Sequence, residues 1–121
     1  MSNECMTLYR AVGQAEFDFI RDSGFRAFPP RLPEQPFFYP VLSQDYASKI
    51  AREWNSKDAR SGLAGYVLRF NVRVSYLQNY EVHTVGSSDH REYWIPAPNL
   101  GLLNENIAGA IEVVAEYRGK L

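Results

Sequence analysis

The stretch YVLRFNVRV, residues 66 to 74, alternates apolar and polar side chains from Leu68 onward. The polar positions are Arg69, Asn71 and Arg73, and apolar or aromatic residues lie on either side of each. A period of two is typical of a strand that buries one face. We therefore predict a strand here and place the other elements around it.

Two predicted strand–helix pairs precede this strand. Residues 6 to 12, MTLYRAV, predict a strand, and the segment from Gln14 to Ser23 predicts a helix with Gly24 at its C-terminal cap. Residues 28 to 36 hold four of the seven prolines, which predicts a loop.

The second pair begins with an aromatic segment, residues 37 to 41, which Pro40 interrupts. Proline confines such a strand to an edge or a bend. Ser43 is a suitable N-cap for the helix that follows. Its apolar face has helical spacing and includes Tyr46, Ala47, Ile50, Ala51 and Trp54. We predict that Trp54 belongs to the core.

The remaining segments are shorter and less regular. Strands are predicted at residues 80 to 85, at 92 to 95 and at 111 to 117, with a helical or irregular link at 98 to 106. In the last strand we expect Ile111, Val113, Ala115 and Tyr117 on one face. The predicted order of elements is strand, helix, strand, helix and then several strands. This order predicts an α+β fold, with two early helices packed on a mainly antiparallel sheet system.

Composition limits the choice of function. A chain of 121 residues predicts one domain, residues 1 to 121, in which residues 1 to 5 form a flexible N-terminus. The net charge of -1 gives no electrostatic reason for a nucleic-acid partner, and a single cysteine excludes an internal disulfide. The N-terminus lacks the form of a signal peptide and no run is long enough to span a membrane, so we expect a soluble protein. A domain cut from a larger chain would have the same features.

Common catalytic signatures are missing from the sequence, including the phosphate-binding glycine loop, the GxSxG elbow and the HExxH pair. His83 and His90 have no cysteine nearby, which gives little support to a zinc site. Three polar groups on predicted strands remain: Arg10 in LYR, Tyr39 in FFYP, and Glu92 in REYWIP.

The order of these motifs resembles the ADP-ribosyltransferase toxin fold, especially the small domains at the ends of bacterial polymorphic toxins. The resemblance rests on the Leu-Tyr-Arg strand with a helix directly after it, the aromatic strand before a second helix, the Glu-Tyr-Trp strand, and the segment LNENIAG at 103 to 109. It extends from Leu8 to about Tyr117.

This resemblance implies a split core of two sheets with NAD, as substrate, in the cleft between them. It implies that Arg10 contacts the phosphates or ribose of NAD, because a guanidinium matches phosphate oxygens bidentately. It further implies that Glu92 is catalytic: it accepts a hydrogen bond from the nicotinamide ribose and stabilises the cation formed as nicotinamide leaves.

The aromatic residues receive binding roles by the same resemblance. Phe38 or Tyr39 would stack on the nicotinamide ring, while Tyr93 and Trp94 would shape the pocket. Where related domains carry a Ser-Thr-Ser motif, this chain has Phe-Phe-Tyr-Pro. Arginine-modifying members have a glutamate two residues before the catalytic one, whereas this chain has His90, so arginine is not the expected acceptor.

The implied partners are NAD, a protein or nucleic-acid acceptor and an immunity protein, with no membrane. The implied location is the cytoplasm, or a target cell's cytoplasm after delivery as part of a larger effector. NAD glycohydrolysis would be the same chemistry with water as acceptor.

Several alternatives stay open at this point. The chain could be an inactive protein- or nucleotide-binding module of the same fold. Arg10 could be an ordinary surface arginine, and Glu92 a solvated strand residue paired with neighbours of Arg91 or with Arg73. Glu81 is a rival carboxylate, and His90 has a better claim to the site than His83.

Overall fold

The computed structural model describes residues 4 to 119, which form a mixed arrangement of helices and antiparallel strands. The strands are β1 (Cys5–Val12), β2 (Phe37–Phe38), β3 (Ala64–Arg73), β4 (Val82–Thr84), β5 (Arg91–Tyr93), β6 (Ile95–Pro96) and β7 (Ile107–Arg118). The helices are α1 (Gln14–Asp22), α2 (Gln44–Glu53), α3 (Val74–Leu77) and α4 (Leu100–Glu105). Short 3-10 turns lie at Asn55–Lys57, Ala59–Ser61 and Ala97–Asn99. This arrangement confirms the α+β class.

The main sheet has the order β1-β3-β7, with both pairings antiparallel. β3 is the central strand, and it contains most of the alternating stretch from which the sheet was predicted. Its apolar side chains share a face with those of β1, since Leu8 pairs with Phe70 and Val12 pairs with Tyr66. Val74 was predicted to end the strand but instead begins α3.

Two short strand pairs accompany the main sheet. β4 pairs with β5, and β2 pairs with β6, each antiparallel. A single residue, Val41, pairs with Tyr9 of β1 on one side and with Glu92 of β5 on the other. The β4–β5 pair is therefore joined to the edge of the main sheet through one residue of the segment before α2.

The two faces of the main sheet bury different clusters. One face carries the larger core, which includes Leu8, Phe70 and Ile20 of α1. The other face buries a smaller cluster in which Val67 of β3 meets Ala47 and Ala51 of α2. The two early helices thus cover opposite faces, which is the usual way to bury both sides of a sheet.

Helix α2 begins as predicted, because the Ser43 Oγ accepts a hydrogen bond from the backbone N–H of Tyr46. The prediction for Trp54 was wrong: its side chain is 72% exposed. Trp54 is the C-cap residue, directly after the last helical residue Glu53, and its φ of -117° departs from the helical value, so the helical spacing no longer determines its position.

Strand β7 corrects a second prediction. The register between β3 and β7 shifts between Val67 and Leu68, where Val113 pairs with Leu68 but Ala115 pairs with Val67. A bulge of this kind moves the following side chains to the opposite face. Ile111 therefore belongs to the larger core, whereas Ala115 and Tyr117 pack on the α2 side.

At the N-terminus, residues 1 to 3 of the predicted flexible segment lie outside the described residues. Cys5 already belongs to β1, and the Glu4 carbonyl accepts a backbone hydrogen bond from Val74 at 2.9 Å. The first strand therefore begins earlier than predicted. Between residues 4 and 119, no helix has the length and apolar character needed to span a membrane.

Candidate functional site

A cavity of about 260 Å³ lies at the edge of the main sheet, and it brings Arg10, Tyr39 and Glu92 together. Ala11, Val41 and Ile50 complete its lining. Tyr9 pairs with Val41, and the antiparallel direction then takes Tyr39 past Ala11. No further pair forms there within the described chain, which leaves a gap in the backbone pairing beside Ala11 and Tyr39, and both of these residues line the cavity.

Glu92 is half-buried and has a hydrogen-bond donor on each carboxylate oxygen. The Tyr46 hydroxyl donates to Oε2 at 3.3 Å, and the Trp94 Nε1–H donates to Oε1 at 2.9 Å. The alternative in which Glu92 pairs with Arg73 is not observed, because the Arg73 guanidinium donates to the Glu105 carbonyl instead.

Arg10 is not an ordinary surface arginine, since its side chain is only 12% exposed. Its Nε and Nη2 donate to the two carboxylate oxygens of Glu16, at 2.6 and 3.0 Å. The guanidinium also lies over the Phe38 ring, 4.5 Å from its centroid. Strand alternation directs Arg10 to the α1 face, and Val41 and Glu92 to the α2 face. The two charged residues therefore approach the gap from opposite sides.

A second guanidinium, that of Arg31, lies near the same ring, 5.9 Å from the Phe38 centroid. Its Nε donates to the Phe37 carbonyl at 3.0 Å. Burial and the neighbouring Arg10 charge lower the pKa of Arg31, and Glu16 partly offsets this. Sequence reasoning missed Arg31 because it lies in the proline-rich loop, where no pattern indicates what a side chain contacts.

A larger cavity of about 770 Å³ adjoins the first and shares Arg10 and Ala11 with it. It lies between α1, the proline-rich loop and the 3-10 turns, and both Glu16 and Arg31 line it. Asn55 also lines this cavity, and its buried Oδ1 has no hydrogen-bond partner among the described residues. The larger cavity alone has a volume in the range that proteins use for small ligands, about 300–1,000 Å³.

The other residues that were predicted to bind NAD differ in how accessible they are to a ligand. Phe38 is 0% exposed and packs against Phe28 in the core, so stacking on a ligand would require the core to open. Tyr93 is also buried, and its hydroxyl contacts the Met6 sulfur at 3.6 Å. Tyr39 is half-buried and does line the cavity. Of the two candidates for stacking, Tyr39 is therefore the accessible one.

Two stacked pairs flank Glu92. The His83 and Trp94 rings stack at 3.9 Å with 7° between their planes, and the Tyr46 and His90 rings stack at 4.3 Å with 8° between theirs. We call these four residues and Glu92 the aromatic clamp. Sequence reasoning gave His83 no special role and assigned Tyr46 only to a helix face, because neither carries a local signal of this contact.

A third cavity, of about 620 Å³, lies on the α2 side of the clamp, where Tyr46 and His90 form part of its wall. Cations and anions both line it: Lys49, Arg52 and Arg91 against Asp45 and Asp89. Its charge is therefore mixed and does not indicate a ligand of one sign.

The rival carboxylate Glu81 is exposed and lines none of these three cavities. Within residues 4 to 119, no group of three or more His, Cys, Asp or Glu side chains is arranged to hold a metal ion. The sequence matches no family model, and no curated protein matches it either.

Proposed function

We propose that this chain is an NAD-cleaving, ADP-ribosyltransferase-like domain in which Glu92 is the catalytic carboxylate. The observation that carries the proposal is the cavity that Arg10, Tyr39 and Glu92 line together, although they are far apart in the sequence. These are the three positions to which the resemblance assigns NAD binding and cleavage. In this proposal the rest of the dinucleotide lies in the larger cavity, which shares Arg10 and Ala11 with the first.

The proposed chemistry needs an anion close to a developing cation. The bond between the nicotinamide nitrogen and the ribose carbon breaks, and its electron pair stays on the nitrogen, so neutral nicotinamide leaves. The positive charge then develops on the ribose, where the Glu92 carboxylate stabilises it in the transition state more than in the ground state. An acceptor then forms the new bond to the ribose carbon and loses its proton. With water as acceptor the product is ADP-ribose.

A second candidate is the inactive nucleotide-binding module of the same fold, and the Arg10–Glu16 pair favours it. Both oxygens of Glu16 are bonded to Arg10, so the guanidinium fork is already occupied. A phosphate at Arg10 must displace Glu16 or approach close to its negative charge. In this alternative Arg10 supports the cavity wall and Glu92 only contributes to ligand binding.

The experiment measures nicotinamide release from NAD by the purified protein, and transfer of labelled ADP-ribose to lysate components. Glu92→Gln keeps the shape of the side chain and removes its charge. By analogy with other preorganised electrostatic groups, we expect release to fall by about 10²–10³-fold. Glu81→Gln is the matched control, because it removes an exposed carboxylate outside the three cavities.

The outcomes separate the two candidates. Release that Glu92→Gln abolishes and Glu81→Gln preserves supports the enzyme. If NAD binds but no nicotinamide is released, the binding module is correct. If titration calorimetry detects no NAD binding and no release occurs, both candidates are wrong.

Glu16→Gln tests the role of Arg10 separately. The substitution keeps a hydrogen-bond acceptor beside Arg10 but removes the negative charge that opposes phosphate. If Arg10 holds the phosphates of NAD, we expect Glu16→Gln to tighten NAD binding and Arg10→Gln to weaken it. If neither variant changes the dissociation constant, Arg10 does not contact the ligand.

A further inference from the structure

The Glu92 carboxylate is held at both ends by donors from aromatic side chains. An indole N–H can only donate, and an ionised carboxylate can only accept, so the 2.9 Å bond from Trp94 to Oε1 has one direction. Tyr46 contacts the other oxygen at 3.3 Å. Each carboxylate oxygen has two lone pairs, so both keep capacity for a ligand hydroxyl after these bonds are made.

Both donor rings are themselves fixed by stacking. His90 stacks on Tyr46, and His83 stacks on Trp94, whose ring also meets the Tyr39 ring edge-on at 6.3 Å. Tyr46 lies in the first turn of α2, where its backbone N–H is bonded to the Ser43 cap. These ring contacts restrict the rotation of the two donor side chains, which helps to hold a charged group in one orientation.

The Tyr46 hydroxyl also remains a donor over the neutral pH range. Burial raises its pKa, and the negative charge and hydrogen bond of Glu92 raise it further. The phenol is therefore protonated and able to donate across the neutral pH range.

From this geometry we propose that Tyr46 and Trp94 are positioning residues that orient the Glu92 carboxylate toward the cavity shared with Arg10 and Tyr39. The inference rests on the proposed function, since orientation of Glu92 matters for catalysis only if the cavity cleaves NAD. Neither donor lines that cavity, so both act through Glu92 and not by direct contact with the substrate.

The test uses variants that remove one donor and keep an aromatic ring at the position. Tyr46→Phe and Trp94→Phe should each lower the kcat of nicotinamide release by about tenfold, because a hydrogen bond to a charged group contributes about that factor. The KM for NAD should change little. The matched controls are Trp54→Phe, an exposed tryptophan, and Tyr117→Phe, which packs on the α2 side and makes no hydroxyl hydrogen bond within residues 4 to 119.

A second measurement does not depend on activity. In Glu92→Gln the phenol of Tyr46 loses its charged acceptor, so its pKa should fall toward the ordinary tyrosine value, as measured by NMR with ring-labelled tyrosine. Removal of a hydrogen bond elsewhere in the protein would leave the pKa of Tyr46 unchanged. If the Tyr46 titration is the same in both proteins, the contact is absent in solution and the inference is wrong.

The remaining outcomes assign failure to one proposal or the other. If the wild type releases nicotinamide and both ring-conserving variants match it in kcat, the positioning role is wrong and the proposed function stands. If the wild type binds NAD without releasing nicotinamide, the proposed function is wrong and the positioning role falls with it. If Trp94→Phe fails to fold, as judged by circular dichroism, Tyr46→Phe and the titration still decide the inference.

Discussion

The main sheet and the aromatic clamp are held together by different interactions. The main sheet depends on long paired strands, β1 and β3 sharing eight residue pairs, and on side chains buried on both faces. In the clamp, only His83 and Glu92 lie on strands, each of three residues, and the clamp gains its order from stacked rings and from hydrogen bonds to one carboxylate. Stability is therefore concentrated in one region and candidate chemistry in the other.

The largest expected effect tests whether the stability of the protein depends mainly on the main sheet. Phe70 is 1% exposed, and its ring meets that of Phe28 at 4.8 Å. Phe70→Ala should lower the free energy of unfolding by about 3–5 kcal/mol, because it removes buried apolar surface and leaves a cavity. Urea unfolding measures the change.

Val82→Ala is the matched control, on exposed strand β4 beside the clamp. It should change the free energy of unfolding by no more than about 0.5 kcal/mol. If the Val82 variant loses as much stability as the Phe70 variant, the division between the two regions is wrong.

A smaller effect is expected where the sheet meets α2. A Cβ atom added at Gly65 would lie 2.5 Å from the Ala51 carbonyl oxygen, a backbone atom that can move only with the helix. Gly65→Ala should therefore cost about 1–3 kcal/mol of unfolding free energy, as overpacking does. The same measurement on Gly101→Ala should give the opposite sign, a gain of about 0.5–1 kcal/mol, because Gly101 lies in α4 with open space around it.

Alkaline pH should weaken both regions. Burial raises the pKa of Tyr76, Tyr93 and Tyr46, so above about pH 10 these phenols ionise in the unfolded chain before they ionise in the folded one. The folded state then binds more protons, and the free energy of unfolding falls by about 1.4 kcal/mol per pH unit for each such group. Below pH 9 their contribution to stability is fully present.

Phenylalanine variants assign this loss to the two regions. Each variant should make the unfolding free energy fall less steeply as the pH rises. Tyr76→Phe removes the contribution of a phenol in the main core, and Tyr46→Phe removes the contribution of a phenol in the clamp. Unfolding curves from pH 8 to pH 11 measure both slopes. Variants whose slopes equal that of the wild type would show that these phenols are as accessible in the folded protein as in the unfolded chain.

The smallest predicted effect concerns Ser43, which stabilises α2 beside the main sheet and also positions a residue of the clamp. The Ser43 side chain caps α2 and fixes the backbone of Tyr46, which belongs to the clamp. Ser43→Ala should cost about 1 kcal/mol of unfolding free energy, and it should broaden the NMR signals of the Tyr46 ring. Ser43→Thr keeps an oxygen that can accept the capping hydrogen bond, so the Tyr46 signals should remain sharp.

The same comparison explains what the sequence could predict. Residues 66 to 74 have a regular period and Ser43 has a local capping role, so β3 and α2 were predicted close to their observed bounds. The three cavity residues Arg10, Tyr39 and Glu92 were chosen together, but their proximity rested on a resemblance and not on any local pattern.

The errors arose where tertiary contacts decide the outcome. Trp54 continues a helical spacing but lies beyond the last turn, and Val113 precedes a bulge that no residue type announces. Phe38 and Tyr39 are neighbours with similar propensity, yet only the pairing of β2 with β6 determines which one is buried. The Tyr46 donor to Glu92 was missed because the two residues are 46 positions apart in the chain.

The single-residue link at Val41 has a mechanical consequence. Residues 40 to 42 are held by two backbone hydrogen bonds to Tyr9 and by one each to Arg91 and Tyr93, all between 2.8 and 3.1 Å. This seam is much shorter than the eight-residue ladder between β1 and β3. The buried Tyr93 side chain, which belongs to the larger core and contacts Met6 of β1, therefore supplies a second attachment of β5 to the main sheet. Loss of either attachment would change the separation of Arg10 and Glu92 before it changed the main sheet.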